Sequence, residues 1–202
     1  MEKIENVREY ICEKCKEEED ISYKVLESEE EGIDCYGIEL KNCEFKNCIY
    51  QNSKFIKTSF SNVTFENCDF SNTNFNESTF VCTKFKNCKF IGCKCIETLF
   101  LQTSIQNSNC SYTNFSNSQL KEICLENNML VMSNFENAEL KNIKIKECNL
   151  MQSSFFGTNL KGIDFTTSNI EGITVDIKDL KGVIVNEIQA IDLAKLLGII
   201  IK

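Results

Sequence analysis

A large apolar side chain recurs at every fifth residue over most of this chain. Between residues 40 and 185, thirty successive positions keep the register, and each holds an apolar or aromatic residue. Fourteen of the fifteen Phe lie in this register, which composition alone does not produce. A helix face repeats about every 3.6 residues and a strand face about every 2, so neither element matches a period of five. The pattern predicts a chain that winds into repeated coils, each built from short sides of equal length.

Two further positions of the repeat are constrained. The residue two places before each large apolar residue is small or slim, as at Cys43, Ser53 and Thr58. Counted from residue 37 to residue 182, the residue two places after a register position is Asn or Gly in eighteen of thirty cases. Asn and Gly tolerate the backbone angles of tight turns. Each five-residue unit therefore predicts one short extended side followed by one corner.

The unit reads small, polar, Phe or Leu, polar, Asn or Gly, as at residues 68–72 and 158–162. In this pattern the chain resembles the pentapeptide-repeat family over residues 35–186. The resemblance implies an all-β solenoid: a right-handed quadrilateral β-helix with four units per coil, about seven to eight coils, and helical caps at both ends. The predicted core includes Phe45, Phe65, Phe70, Phe75, Phe80 and Phe85.

Four sides per coil would stack residues that are twenty apart. The column that starts at Asn47 repeats Asn as far as Asn127, which predicts a ladder of hydrogen-bonded amides. The register never slips between residues 40 and 185, so we expect no loop insertions in the repeat. Local distortions are expected at Asn128 and Lys178, which place bulkier polar side chains in small inward positions, and Lys178 should turn outward.

An open β-helix needs a cap at each end. We expect residues 1–34 to be an acidic N-terminal capping segment with a helix, because Ile4, Val7 and Ile11 fall at helical spacing before two acidic runs, at 16–20 and 27–31. Residues 187–202 predict a C-terminal capping helix and an apolar tail. Asn186 and Gln189 have the spacing of a capping box. Residues expected to form the cap and a homodimer contact are Ile188, Ile191, Leu197 and Ile199.

Thirteen Cys could suggest disulfides, but six of them occupy the small inward position. Free Cys is a compact, often buried residue, so packing explains these six. Cys12 and Cys15 form a CxxC motif without a second pair and without any His, and this argues against a zinc site, although metal binding there stays open. No apolar run is long enough to span a membrane and the N-terminus is charged, so we expect a cytoplasmic protein.

Catalysis is not indicated. The chain has no His for acid–base chemistry and no Gly-rich phosphate loop, so we expect neither enzyme activity nor a cofactor. The net charge of −8 lies entirely in residues 1–34, and the remaining chain has seventeen acids and seventeen bases. Direct nucleic-acid binding is not expected, because the chain is acidic and its one Lys column is isolated. That column contains Lys121, Lys141, Lys161 and Lys181.

The C-terminal run also resembles the quinolone-resistance branch of the family, at Gln189, Ala190, Leu193 and residues 197–199. This resemblance implies a dimer joined through the C-terminal element. It also implies binding to DNA gyrase or topoisomerase IV as a DNA mimic, with protection from fluoroquinolones. A DNA mimic should present rows of carboxylates, because DNA carries a dense line of phosphates. Outward positions here alternate in sign, and the uninterrupted repeat leaves no room for the loops that project from Gram-negative members.

A scaffold with an unrelated partner is the alternative function. Apolar residues occupy outward positions of the middle coils, and a contiguous apolar patch often marks a protein-binding site. Local packing around a bulge would also explain them. A carboxylate-lined side would favour the topoisomerase hypothesis, whereas a neutral rod with an apolar strip would favour the scaffold. The predicted patch comprises Ile91, Ile96, Leu99 and Leu101, with Val81 nearby and Met129, Val131, Met151 and Phe156 farther along.

Overall fold

The computed structural model describes residues 1–4, 6–27 and 32–200, and its strands wind into a parallel β-solenoid. Four residues of the predicted acidic run, 28–31, and Ile201 of the predicted tail lie outside the described residues. Helix α1 spans Val7–Glu17, helix α2 spans Glu187–Lys195, and a short 3-10 helix spans Ile177–Leu180.

Nearly every strand is three residues long, as a five-residue unit with one corner requires. In chain order the strands are β1 (Glu2–Ile4), β2 (Ile21–Ser22), β3 (Lys24–Leu26), β4 (Asp34–Tyr36), β5 (Glu39–Lys41), β6 (Glu44–Lys46), β7 (Lys54–Ile56), β8 (Ser59–Ser61), β9 (Thr64–Glu66), β10 (Thr79–Val81), β11 (Lys84–Lys86), β12 (Leu99–Leu101), β13 (Ser104–Gln106), β14 (Gln119–Lys121), β15 (Cys124–Glu126), β16 (Glu139–Lys141) and β17 (Lys144–Lys146).

Each strand pairs in parallel with the strand one coil away, and the partners are twenty residues apart, as Phe60 is from Phe80. The strands form one eight-stranded, one seven-stranded and one two-stranded sheet, and isolated bridges such as Asp69 to Lys89 continue the remaining sides. Twenty residues per coil in units of five make four sides, which confirms the predicted solenoid. We name the sides by their inward residues: first (Phe60, Phe80), second (Phe65, Phe85), third (Phe70, Phe90) and fourth (Phe55, Phe75).

Stacked aromatic rings fill the middle of the rod. The rings of Phe60 and Phe80 lie 4.8 Å apart and those of Phe80 and Phe100 lie 4.9 Å apart, both nearly parallel. Within one coil, Phe75 meets Phe80 edge to face at 5.5 Å. All six predicted core Phe are buried. The period of five therefore places one large apolar residue on each side of each coil, and between residues 45 and 90 each of these residues is an aromatic ring.

The small inward residues tie adjacent coils together by hydrogen bonds. Ser78 Oγ accepts from the Thr58 N–H at 3.0 Å and donates to the carbonyl oxygen of Phe55 at 2.6 Å. Inward Cys thiols donate in the same way, as Cys93 does to the carbonyl oxygen of Phe70 at 2.8 Å. Burial raises the pKa of the Cys93 thiol well above its usual value, so this thiol stays protonated. These Cys are part of the packing.

Most corner residues have a positive φ, and this explains the preference for Asn and Gly. The corner amides also form part of the predicted ladder. The Nδ2 atoms of Asn67 and Asn87 each donate to the Asn Oδ1 of the preceding coil at 3.2 Å. Asn127 donates to Asn107 at 2.7 Å.

The distortion predicted at Asn128 is wrong. Asn128 is buried in its inward position, where its Nδ2 donates to the carbonyl oxygen of Ile105 at 2.7 Å. Its Oδ1 accepts from the Ser108 N–H at 2.8 Å. The amide thus makes the two bonds that a Ser makes elsewhere. The prediction for Lys178 is confirmed, since its Nζ lies outside the rod, 3.2 Å from a carboxylate oxygen of Asp176.

The N-terminal segment is less helical than expected, because the solenoid begins before residue 35. Strands β1, β2 and β3 already belong to its two largest sheets, and only α1 is helical. Ile21 pairs with Leu40 and Val25 with Glu44, so this first coil is offset by nineteen residues instead of twenty. Its apolar residues are therefore one position out of phase with the main register. Helix α1 buries Val7 and Ile11 against the core.

The predicted capping box of α2 is confirmed. Asn186 Oδ1 accepts from the Gln189 N–H at 3.0 Å, and Gln189 Oε1 accepts from the Asn186 N–H at 2.9 Å. The Gln189 Nε2 also donates to the carbonyl oxygens of Phe165 and Ser168, at 2.9 and 2.6 Å. These bonds fasten α2 to the last coils. Neither helix of the described residues has the length and apolar character needed to cross a membrane.

Candidate protein-binding surfaces

The predicted mid-rod patch lies on one coil but faces several directions. Ile91 is on the third side, Ile96 is on the fourth, and Leu99 and Leu101 flank Phe100 on the first. A corner separates each side from the next, so the four side chains do not share one flat surface. All four are half-buried. The structure arranges them as a belt around the rod.

A more continuous apolar surface lies on the third side, in the coils that follow. Tyr112 is 58% exposed, Met132 is 47% exposed and Met129 is 44% exposed. Val131 and Met151 are half-buried beside them. The Tyr112 N–H donates to the carbonyl oxygen of Val131 at 2.9 Å, and the Met132 N–H donates to that of Met151 at 3.0 Å. We call these five residues the methionine strip.

Two members of the methionine strip occupy strained corner positions. Tyr112 has a φ of 61° and Met132 a φ of 54°, in the left-handed region. A side chain with a Cβ costs about 1–2 kcal/mol there, and Asn and Gly are the usual occupants. Lys57, Glu77 and Glu97 share this backbone conformation at their own corners, so the strain follows from the coil geometry and does not set the strip apart. Sequence reasoning missed both residues because it treated every corner as a turn signal, although an aromatic residue or Met in a corner column is itself an exception.

Opposite charges on neighbouring coils of the rod form ion pairs. Lys89 Nζ lies 3.2 Å from an Asp69 carboxylate oxygen one coil away, and Lys146 and Glu126 are joined in the same way at 3.2 Å. The hydrogen bond from Lys146 lowers the pKa of Glu126. Between residues 34 and 186, no outward column carries more than two carboxylates in succession. This part of the rod does not reproduce the charge pattern of a DNA duplex.

The C-terminal cap presents a second apolar surface. Ile188 is 74% exposed, and Ile191, Leu197 and Ile199 are also exposed, so none of these four predicted residues is buried against the last coil. The residues of α2 that pack on the rod are instead Gln189, which is buried, and Leu193, which is half-buried. A groove of about 390 Å³ lies between α2 and the last coil. Its apolar lining includes Ile177, Leu180, Val185, Ala190, Leu193, Ala194 and Leu197.

The CxxC motif lies on α1, where both Cys are half-buried. Across residues 1–4, 6–27 and 32–200, no group of three or more His, Cys, Asp or Glu side chains has an arrangement that could hold a metal ion. The nearest partner of Cys15 is Cys35, on the first coil. Among the described residues, the CxxC motif is therefore accompanied by one further thiol, that of Cys35, and not by a set of metal ligands.

Two family models match the repeat. Residues 40–81 match a model of nine copies of pentapeptide repeats, and residues 78–155 match a pentapeptide repeat region. Together they span more than half of the chain. The chain belongs to the pentapeptide-repeat family. Its coils form a repeat scaffold that displays the outward side chains.

Several solved pentapeptide-repeat structures are similar to this scaffold. A trypsin-treated variant of QnrB1, a plasmid-mediated fluoroquinolone resistance protein, is 22% identical, with 91% of this chain and 92% of that chain covered and a TM-score of 0.46. HetL, involved in heterocyst differentiation regulation in the cyanobacterium Nostoc sp. strain PCC 7120, is 12% identical, with coverages of 78% and 87% and a TM-score of 0.36. No curated protein sequence matches the chain significantly.

Proposed function

We propose that this protein is a non-enzymatic, cytoplasmic scaffold that binds a partner protein through the methionine strip. The observation that carries the proposal is the strip itself: exposed Tyr112, Met129 and Met132 on a rod whose charges balance. Apolar side chains that cluster on a polar surface favour association, because a partner can remove them from water. The partner would present a complementary apolar surface.

The side-chain types fit this role. Met is unbranched and polarizable, so it adapts to different partner surfaces, and Met and Tyr are enriched in the central parts of protein interfaces. The backbone under the strip is held by hydrogen bonds between coils, such as that from the Met132 N–H to the Met151 carbonyl oxygen. A rigid base reduces the entropy lost on binding. The strip therefore combines adaptable side chains with a fixed backbone.

Replacing Met129 by Gln together with Met132 by Asn should abolish partner binding without weakening the fold. Asn suits the positive φ of residue 132, so the double variant should unfold at the same temperature as the wild type or slightly higher. We expect proteins captured from a bacterial lysate by the wild type to fall about tenfold or more with the variant, as loss of interface hot spots would cause. Quantitative mass spectrometry of the captured proteins measures this.

The matched control is Phe156→Asn, which removes an exposed apolar side chain on the fourth side, outside the strip. This control should capture the same proteins as the wild type. If the strip variant captures them equally well, the strip is not the binding surface and the proposal fails.

The second candidate function is binding to DNA gyrase or topoisomerase IV, with modulation or protection of the enzyme against quinolones. It is favoured by the C-terminal resemblance at Gln189, Ala190 and Leu193, and by the outward apolar face of α2, which suits a homodimer. Because the repeat lacks long carboxylate rows, contact with the topoisomerase would rely on the shape of the rod, on the acidic N-terminal residues or on the dimer.

Ile188→Glu should convert the proposed homodimer into a monomer. Ile188 is exposed in the single chain, so the substitution leaves the cap intact but places a charge in the dimer contact. Light scattering should give twice the 23.2 kDa chain mass for the wild type and the single chain mass for the variant. A wild-type monomer would refute the dimer.

The same pair of proteins tests the topoisomerase candidate. Under this candidate, the wild type restores DNA supercoiling by bacterial gyrase in the presence of a fluoroquinolone, and Ile188→Glu restores less. If neither protein changes supercoiling with or without the drug, the candidate is rejected and the scaffold proposal is unaffected.

A further inference from the structure

Two thiols meet where helix α1 covers the first coil. Cys15 Sγ, on α1, lies 2.9 Å from Cys35 Sγ, on β4. The S–S bond of a disulfide is about 2.05 Å long, so a shift of about 1 Å would join them. The two residues are twenty apart in the chain, and they belong to different elements. A bond between them would attach the N-terminal cap to the rod.

The two thiols differ in the way that a nucleophile and a resolving thiol differ. Cys15 is half-buried and within reach of solvent, whereas Cys35 is buried. The short contact with Cys35, aided by the Tyr36 N–H, lowers the pKa of Cys15, while the same contact and burial raise the pKa of Cys35. Reactive thiols are accessible and ionise readily, and an adjacent protonated thiol can then close the disulfide.

We propose that Cys15 and Cys35 form a reversible disulfide that locks α1 onto the first coil. The oxidant is a low-molecular-weight disulfide such as oxidised glutathione. The Cys15 thiolate attacks one glutathione sulfur and expels one glutathione thiolate. Cys35 gives up its proton and its sulfur attacks Cys15 Sγ, expelling the second. Two protein thiols lose two electrons and one glutathione disulfide gains them, and the two expelled glutathione thiolates take up the two protons to become thiols.

The disulfide acts on the stability of the cap. In the reduced protein, α1 is held mainly by burial of Val7 and Ile11. A covalent link removes the conformational freedom of the opened cap and so disfavours opening. Because caps protect the end of a solenoid, oxidation would set how often the N-terminal end of the rod is exposed. The device is independent of the methionine strip and of α2.

Tryptic mapping of the full chain after incubation with oxidised glutathione tests the pairing directly. Lys14 lies between Cys12 and Cys15, so trypsin separates the two residues of the CxxC motif. We expect the dipeptide 15–16 disulfide-linked to the peptide 25–41, and a parent mass lowered by two hydrogen atoms. A link between residues 15 and 12, a stable glutathione adduct on Cys15, or no reaction at Cys15 would each overturn the proposal.

Hydrogen exchange provides the second readout. Oxidation should slow hydrogen exchange of the α1 amides by about tenfold or more. This corresponds to less than the full stabilisation that a disulfide commonly provides. Cys12→Ser should behave as the wild type, and Cys35→Ser should show no change on oxidation. Both variants keep the chain length and leave Val7 and Ile11, the buried residues of α1, unchanged. If α1 exchanges equally in the oxidised and reduced wild type, the disulfide does not lock the cap.

Discussion

Phe80→Ala is expected to lower the free energy of unfolding by about 3–5 kcal/mol, the usual cost of truncating a buried Phe. Phe80 is fully buried and stacks on Phe60 and Phe100 at 4.8 and 4.9 Å. It also meets Phe75 and Phe85 edge to face, each at 5.5 Å. Alanine would leave a cavity in the middle of the aromatic column. The rigid coils above and below would limit its collapse.

Urea denaturation followed by circular dichroism measures this loss, and Phe156→Ala is the matched control. Phe156 is the one Phe outside the register and is 49% exposed, so its truncation should change stability by no more than about 0.5 kcal/mol. Equal losses in the two variants would contradict the stacked core. A solenoid can also unfold partially, and hydrogen exchange should then show the largest change in the coils next to residue 80.

The period of five predicted the core because one inward residue per side is a geometric requirement of the coil. The same reasoning failed at the N-terminus, where Ile21 and Leu26 keep a spacing of five but stand one position out of phase with Leu40. A nineteen-residue coil shifts the register, and a search that keeps one phase does not find it. The polar content of residues 16–31 further concealed the first coil.

The candidate surfaces were harder to predict than the core. Sequence spacing assigns Ile91, Ile96 and Leu99 to outward positions. Whether they share one surface depends on the corners between them, which place them on three different sides. The methionine strip depends on stacking between coils and on corner side chains, which a five-residue consensus treats as turn signals. The proximity of Cys15 and Cys35 depends on how α1 packs, and no periodicity encodes that contact.

Asn128→Ala is expected to lower the free energy of unfolding by about 3 kcal/mol, by combining a small cavity with the loss of buried hydrogen bonds. The Ser108 N–H would lose its acceptor, and the carbonyl oxygen of Ile105 would lose one donor. Burial makes this loss costly, because water cannot replace the amide. Urea denaturation again measures the change.

Asn128→Ser separates the two contributions. Ser differs from Ala by one hydroxyl, and Ser78 shows that a hydroxyl in this position can accept from one coil and donate to a carbonyl there. We expect Ser to recover about 1–2 kcal/mol of the loss, the usual net value of the bonds regained. Equal destabilisation by Ser and Ala would mean that side-chain volume alone matters. Recovery by Ser would show that the inward small position selects a donor and acceptor between coils, which is why Ser, Thr and Asn can all occupy it.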